Sequence, residues 1–124
     1  MQVEWKNYCR TAGLKPLGEE IEVTFDTGRR QKVSVEENGD AFHLVSTVAR
    51  QAIIVELPDA SLRAWRRNRS LALVGFRVDG KGRMIGEAWV PKAGLTAIEF
   101  QLYVRTVATE CDRFEHQLTG RDVE

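Results

Sequence analysis

The sequence predicts an α+β domain: an antiparallel sheet of about five strands with helices packed mainly on one face, in the order α-βββ-α-ββ-α. Three observations predict it. Residues 21–48 alternate apolar and polar side chains as half-buried strands do, and tight-turn signals interrupt them. Residues 74–90 repeat that pattern around Asp79-Gly80-Lys81-Gly82. Between and after these strands lie stretches with helical spacing, the last of them long.

Residues 2–13 read as a short helix. Val3, Trp5 or Lys6, Cys9 and Ala12 recur at helical spacing, Gly13 stands at the stop position, and Pro16 prevents continuation. Ile21, Val23 and Phe25 alternate with Glu22, Thr24 and Asp26 in the first strand, and Thr27-Gly28 turns the chain. Val33 and Val35 alternate with Lys32, Ser34 and Glu36 in the second. Asn38-Gly39 is the strongest hairpin signal in the chain. Phe42, Leu44 and Val48, interleaved with His43, Val45 and Thr47, mark a third strand, rather apolar on both faces and therefore a candidate for the sheet centre.

Residues 50–57 fit either a buried strand or a connecting turn of helix. Pro58-Asp59 opens a helix with Asp59 as its cap. Leu62 and Trp65 would form its inner face, with Arg63, Arg66 and Arg67 mostly outward. Val74, Phe76 and Val78 make the fourth strand and residues 84–90 the fifth, which Pro91 ends. The terminal helix is the best marked element. Leu95, Ile98, Phe100, Leu102, Val104, Val107, Cys111, Phe114 and Leu118 put most of their bulk on one broad face. Thr96 and Glu99 have the spacing of a capping box, and Gly120 stands where helices stop. About 23 residues at about 1.5 Å each give a rod roughly 35 Å long, which needs a sheet to cover it.

Composition narrows the function classes. The 124 residues suit one domain spanning 1–124, with an ordinary soluble composition. Lys plus Arg equals Asp plus Glu at 18 each, so net charge gives no attraction to nucleic acid or to an anionic membrane. The same balance gives little repulsion between copies and permits self-association. Cys9 and Cys111 have no metal or redox spacing and are expected as reduced core thiols in a cytoplasmic protein. The N-terminus has no signal-peptide pattern, and no apolar run approaches the roughly 20 residues of a membrane span.

Candidate sites are few. Arg63, Arg66, Arg67 and Arg69 form the densest cluster of like charge. They could contact phosphates; the plainer reading is a solvated face whose stems cover apolar surface. Asp112 and His116 sit four apart with Glu115 beside them, but fall short of a metal or catalytic motif and read better as a surface contact. Gly75, Gly80, Gly82, Gly86 and Gly94 flank hairpin strands rather than open a phosphate loop. Ser34, Ser46, Ser61 and Ser70 lack a nucleophile context. No enzyme activity, cofactor or metal is expected. Trp65 and Trp89 invite an interface reading. Aromatics and arginines together are the enriched composition of protein contacts, so Leu62, Trp65, Arg66, Arg69 and Trp89 are the candidate interface residues.

Several local strings resemble YbjN-like proteins. These are residues 62–76 with Trp65, Asn68, Leu71 and Gly75-Phe76, then Val78-Asp79-Gly80 and Val90-Pro91. Glu110-Cys111-Asp112 with Leu118, and residues 22–26 followed by Gly28-Arg29, are similar too. The resemblance covers roughly residues 21–118. YbjN-like domains share their fold with class I type III secretion chaperones. The resemblance therefore implies a small cytoplasmic homodimer that holds a partly unfolded segment of a partner along apolar grooves, pairing through the region of residues 59–70. It offers no catalytic motif. The leading expectation is a protein-binding module, a homodimeric chaperone-like or adaptor domain. The alternative is a regulatory domain that binds nucleic acid or a small anion through the helix of residues 63–69.

Overall fold

The structure, a computed structural model, describes residues 4–120. A 3-10 turn, Trp5–Cys9, leads into six strands and three helices: β1 Leu14–Leu17, β2 Glu20–Thr24, β3 Arg30–Asn38, β4 Ala41–Ala49, α1 Gln51–Ile54, α2 Ala60–Asn68, β5 Gly75–Val78, β6 Met84–Pro91 and α3 Ala97–Thr119. The strands form one sheet in the order β1-β2-β3-β4-β6-β5, and every neighbouring pair is antiparallel. The expected α+β class stands, and β4 is interior to the sheet as its two apolar faces foretold.

The N-terminal segment differs from expectation. Instead of a helix through residue 13 there is one short turn, and the sheet gains a sixth strand, β1. The predicted residues 2 and 3 lie outside the described residues. Trp5 and Cys9 are buried and hold the turn against α3, where Trp5 stacks on Phe100. Gly13, at φ 85, reverses the chain, and its carbonyl accepts from Thr24 N–H at 2.9 Å. With that bond fixed, antiparallel alternation turns the N–H position of Pro16 to the outer edge, where proline's missing donor costs no ladder bond. The first element already ends at Cys9, so Pro16 stops no helix and instead lies within an edge strand.

α3 covers the sheet. Phe100, Val104, Val107 and Cys111 are fully buried in one cluster with Phe42, Leu44, Met84 and Val90. Thr96 and Glu99 form the expected capping box, and Gly120 closes the helix at φ 73. Ile98 and Leu102 depart from the apolar face; Ile98 is 78% exposed. Both cysteines are free and buried, and burial pushes their thiols up, Cys9 to about 11 and Cys111 to about 12.

α2 is turned differently from the expectation that Leu62 and Trp65 face inward. Its buried residues are Ala60 and Ala64, while Leu62 and Trp65 stand in solvent. Arg67, expected outward, is instead largely buried, its guanidinium 5.2 Å from the Phe114 ring and 5.8 Å from that of Phe76. Alanines let the helix lie close to its neighbours, and the long arginine stem fills the space beside them. Asp59 occupies the N-cap position without making a side-chain capping bond. Of the two readings for residues 50–57, the turn of helix is the one formed.

Candidate contact surfaces

The outer face of α2 is the first surface. Leu62 and Trp65 are three residues apart, so they stand side by side on one face. Trp65 is 57% exposed, and the Arg69 guanidinium lies 5.2 Å over its ring. Arg66 follows Leu62 by four positions and is exposed. Just before the helix, Val55 adds another exposed apolar side chain. Four of the five candidate interface residues therefore share this face.

The arginines of α2 separate into distinct roles. Arg67 pairs with Glu110 at 3.2 Å and donates to Gln117 Oε1 at 2.7 Å, clamping α2 to α3. Arg63 donates to the Gln117 carbonyl at 3.1 Å, near the end of α3. Among the described residues, no ion pair involves Arg63, Arg66 or Arg69.

Trp89 stands elsewhere. Strand alternation puts Ala88 and Val90 into the core, so Trp89 projects from the opposite face of the sheet. There it stacks on its cross-strand partner His43, with centroids 3.9 Å apart and planes 7° from parallel. His43 Nε2 lies 2.7 Å from Glu87 Oε1, and Arg77 bonds the same carboxylate through Nε and Nη2. Burial pushes the Glu87 carboxyl up, but hydrogen bonds from Arg77 and His43 and then their charges outweigh it and hold it below its ordinary value. The structure thus divides the expected interface set: Leu62, Trp65, Arg66 and Arg69 on α2, and Trp89 on the far side of the sheet.

This second group was missed from sequence, except for Trp89 itself. His43, Glu87 and Arg77 come together only through the pairing of β4 with β6 and β5 with β6. The Asp112–His116 pair is occupied structurally. Asp112 accepts from Arg29 Nη2 at 2.6 Å, tying the turn before β3 to α3, and His116 Nδ1 lies 2.9 Å from the Asp112 carbonyl. Among the described residues no group of three His, Cys, Asp or Glu side chains could hold a metal ion, and no helix is long and apolar enough to cross a membrane.

This fold is similar to that of chains in solved chaperone complexes. The chain superposes on a chain of the HopA1–SchA chaperone–effector complex with a TM-score of 0.59, at 14% identity over 91% of this chain and 90% of that one. A chain of the complex between the Yersinia pestis type III secretion chaperone SycH and a stable fragment of YscM2 gives 0.53, at 6% identity over 87% and 97%. The ExsC–ExsE complex gives 0.50, at 16% identity over 80% and 75%. No protein-family model and no curated protein matches the chain.

Proposed function

We propose that this chain is a chaperone-like protein-binding module that pairs with a second copy of itself and holds a segment of a partner polypeptide. The observation that carries this reading is Trp65: a more than half-exposed indole, beside an exposed Leu62, on a helix whose core-facing positions are filled by alanine. A helix that seats itself with alanines while presenting tryptophan and leucine outward carries its largest apolar side chains where a partner can desolvate them. Support comes also from the fold, shared with chaperones solved with an effector or a protein fragment.

The occupant of the Leu62–Trp65 face in this reading is a second copy. An antiparallel two-fold contact with its axis between these two residues sets Leu62 of each copy against Trp65 of the other. The same crossing carries Arg69 towards the Pro58-Asp59 end of the other copy, so like charges do not meet. The zero formal net charge of the chain adds no long-range repulsion. Sedimentation of the wild-type chain beside Trp65→Asp tests the pairing: the wild type is expected as a dimer and the variant as a folded monomer.

Both sheet edges are blunted against strand addition. Pro16 removes a donor from the outer edge of β1, and the Asn68 side chain occupies the outer edge of β5 at Phe76. Partner contacts in this reading therefore run through side-chain faces rather than through an added strand.

A further inference from the structure

The charge balance of the chain does not hold along α2. Residues 60–70 hold four arginines and no acid, in a protein whose positive and negative residues number 18 each. A hollow of about 360 Å³ opens between α2 and the C-terminal part of α3, lined by Arg63, Arg66, Arg67, Ser70, Phe114 and Gln117. None of the six lining residues is acidic. Arg67 is neutralised by Glu110, yet its Nε is a buried donor with no partner among the described residues. Arg63 spends one Nη2 on the Gln117 carbonyl, which offsets the partial negative charge at that end of α3. The remaining donors of Arg63, and all those of Arg66, form no side-chain bond among the described residues.

We propose that this hollow binds the carboxylates of an acidic segment of the partner polypeptide. The proposal rests on the protein-binding reading above and names the chemistry of what is bound. A guanidinium presents a planar fork of donors that matches a carboxylate. Two arginines three residues apart on one helix side offer two such forks next to each other. Nucleic acid fits less well. A phosphate backbone needs a track of cations along its length, whereas six cations elsewhere on this chain, Arg29, Arg30, Arg77, Arg83, Lys92 and Arg113, are already paired with carboxylates. Phe114 closes the floor of the hollow, its ring buried beneath the Arg67 guanidinium, so the accessible lining is cationic and polar. A segment carrying neighbouring glutamates or aspartates satisfies this lining.

The test uses two labelled synthetic peptides, one alternating Glu and Leu, the other with Gln in place of every Glu, followed by fluorescence anisotropy at low salt. The wild type is expected to bind the Glu peptide at least about tenfold more tightly than the Gln peptide, the ratio expected where two exposed charge pairs form together. Arg63→Gln with Arg66→Gln should abolish that preference, and physiological salt should reduce it. Lys15→Gln, on the exposed face of β1, should leave it intact. Arg66→Gln alone, at an exposed position, serves if the double variant fails to fold. Equal binding of the two peptides, a preference that survives both arginine changes, or tighter binding of a single-stranded oligonucleotide would each overturn the proposal. Equal peptide binding by a dimer would leave the protein-binding reading standing; absence of any peptide binding by a monomer would remove both.

Discussion

Asn68 and Phe76 are bonded to each other in both directions. The Asn68 Nδ2–H donates to the Phe76 carbonyl at 2.9 Å, and the Phe76 N–H donates to Asn68 Oδ1 at 2.7 Å. A single side-chain amide thus takes the place of the strand that β5 lacks on its outer side, and it fixes the end of α2 to the sheet. Asn68→Ala leaves a donor and an acceptor without protein partners. The expected cost is about 1–3 kcal/mol in denaturant unfolding. Asn68→Asp keeps the acceptor and loses the donor, so it should also destabilise. A loss under about 0.5 kcal/mol for the alanine variant would mean that water serves this edge equally well.

At Gly86 the Cys111 side chain of α3 packs directly on the sheet backbone. A methyl group there would collide with Cys111 Sγ and come within 2.9 Å of Phe76 Cε1. Both neighbours are buried in a close-packed core, so neither moves freely. Gly86→Ala should cost about 1–3 kcal/mol through overpacking. Combining it with Cys111→Ala should recover part of that loss, because the two sites share one contact. Additive losses in thermal unfolding would contradict this account of the glycine.

Glu87 gives the uncovered face of the sheet a pH dependence of definite sign. Its folded carboxyl titrates below the ordinary value because Arg77 and His43 outweigh its burial. As pH falls, the unfolded chain takes up this proton first, so folding stability falls with it. The contribution is complete above the ordinary glutamate range and is lost as pH drops through the lowered folded value. Glu87→Gln should therefore flatten the stability profile between about pH 5 and pH 3. An unchanged acid limb in the variant would show that the His43–Glu87–Arg77 line carries no proton linkage.

Much of this architecture was legible because its signals are local. The capping box at Thr96 and Glu99, the stop at Gly120 and the hairpin at Asn38-Gly39 need only their own neighbours; the first two form as read, and the hairpin forms with its two-residue turn at Gly39-Asp40, Asn38 pairing with Ala41. β1 was not legible. It has four residues, one of them Pro16, and it follows a segment whose spacing also suits a helix. The orientation of α2 was misread for a different reason. Trp65 is the bulkiest residue of that helix, but the close seat against β5 admits Ala60 and Ala64, and the stem of Arg67 completes the packing. The pairing of His43 with Trp89 depends on β6 returning beside β4 across two intervening helices and a strand, which no local pattern encodes. The secretion-chaperone half of the resemblance is met by the fold; its YbjN-like half rests on residues such as Trp65, Asn68 and Gly75-Phe76 alone. Of these, Asn68 has the clearest structural task.

In the proposed pairing the Leu62–Trp65 face of α2 meets a second copy of the chain, and equilibrium sedimentation of the wild-type protein is the decisive experiment. The expected result is a dimer in the micromolar range that Trp65→Asp converts to monomer with its circular dichroism unchanged, since this indole stands outside the core. A wild-type chain that remains monomeric at high micromolar concentration would contradict it.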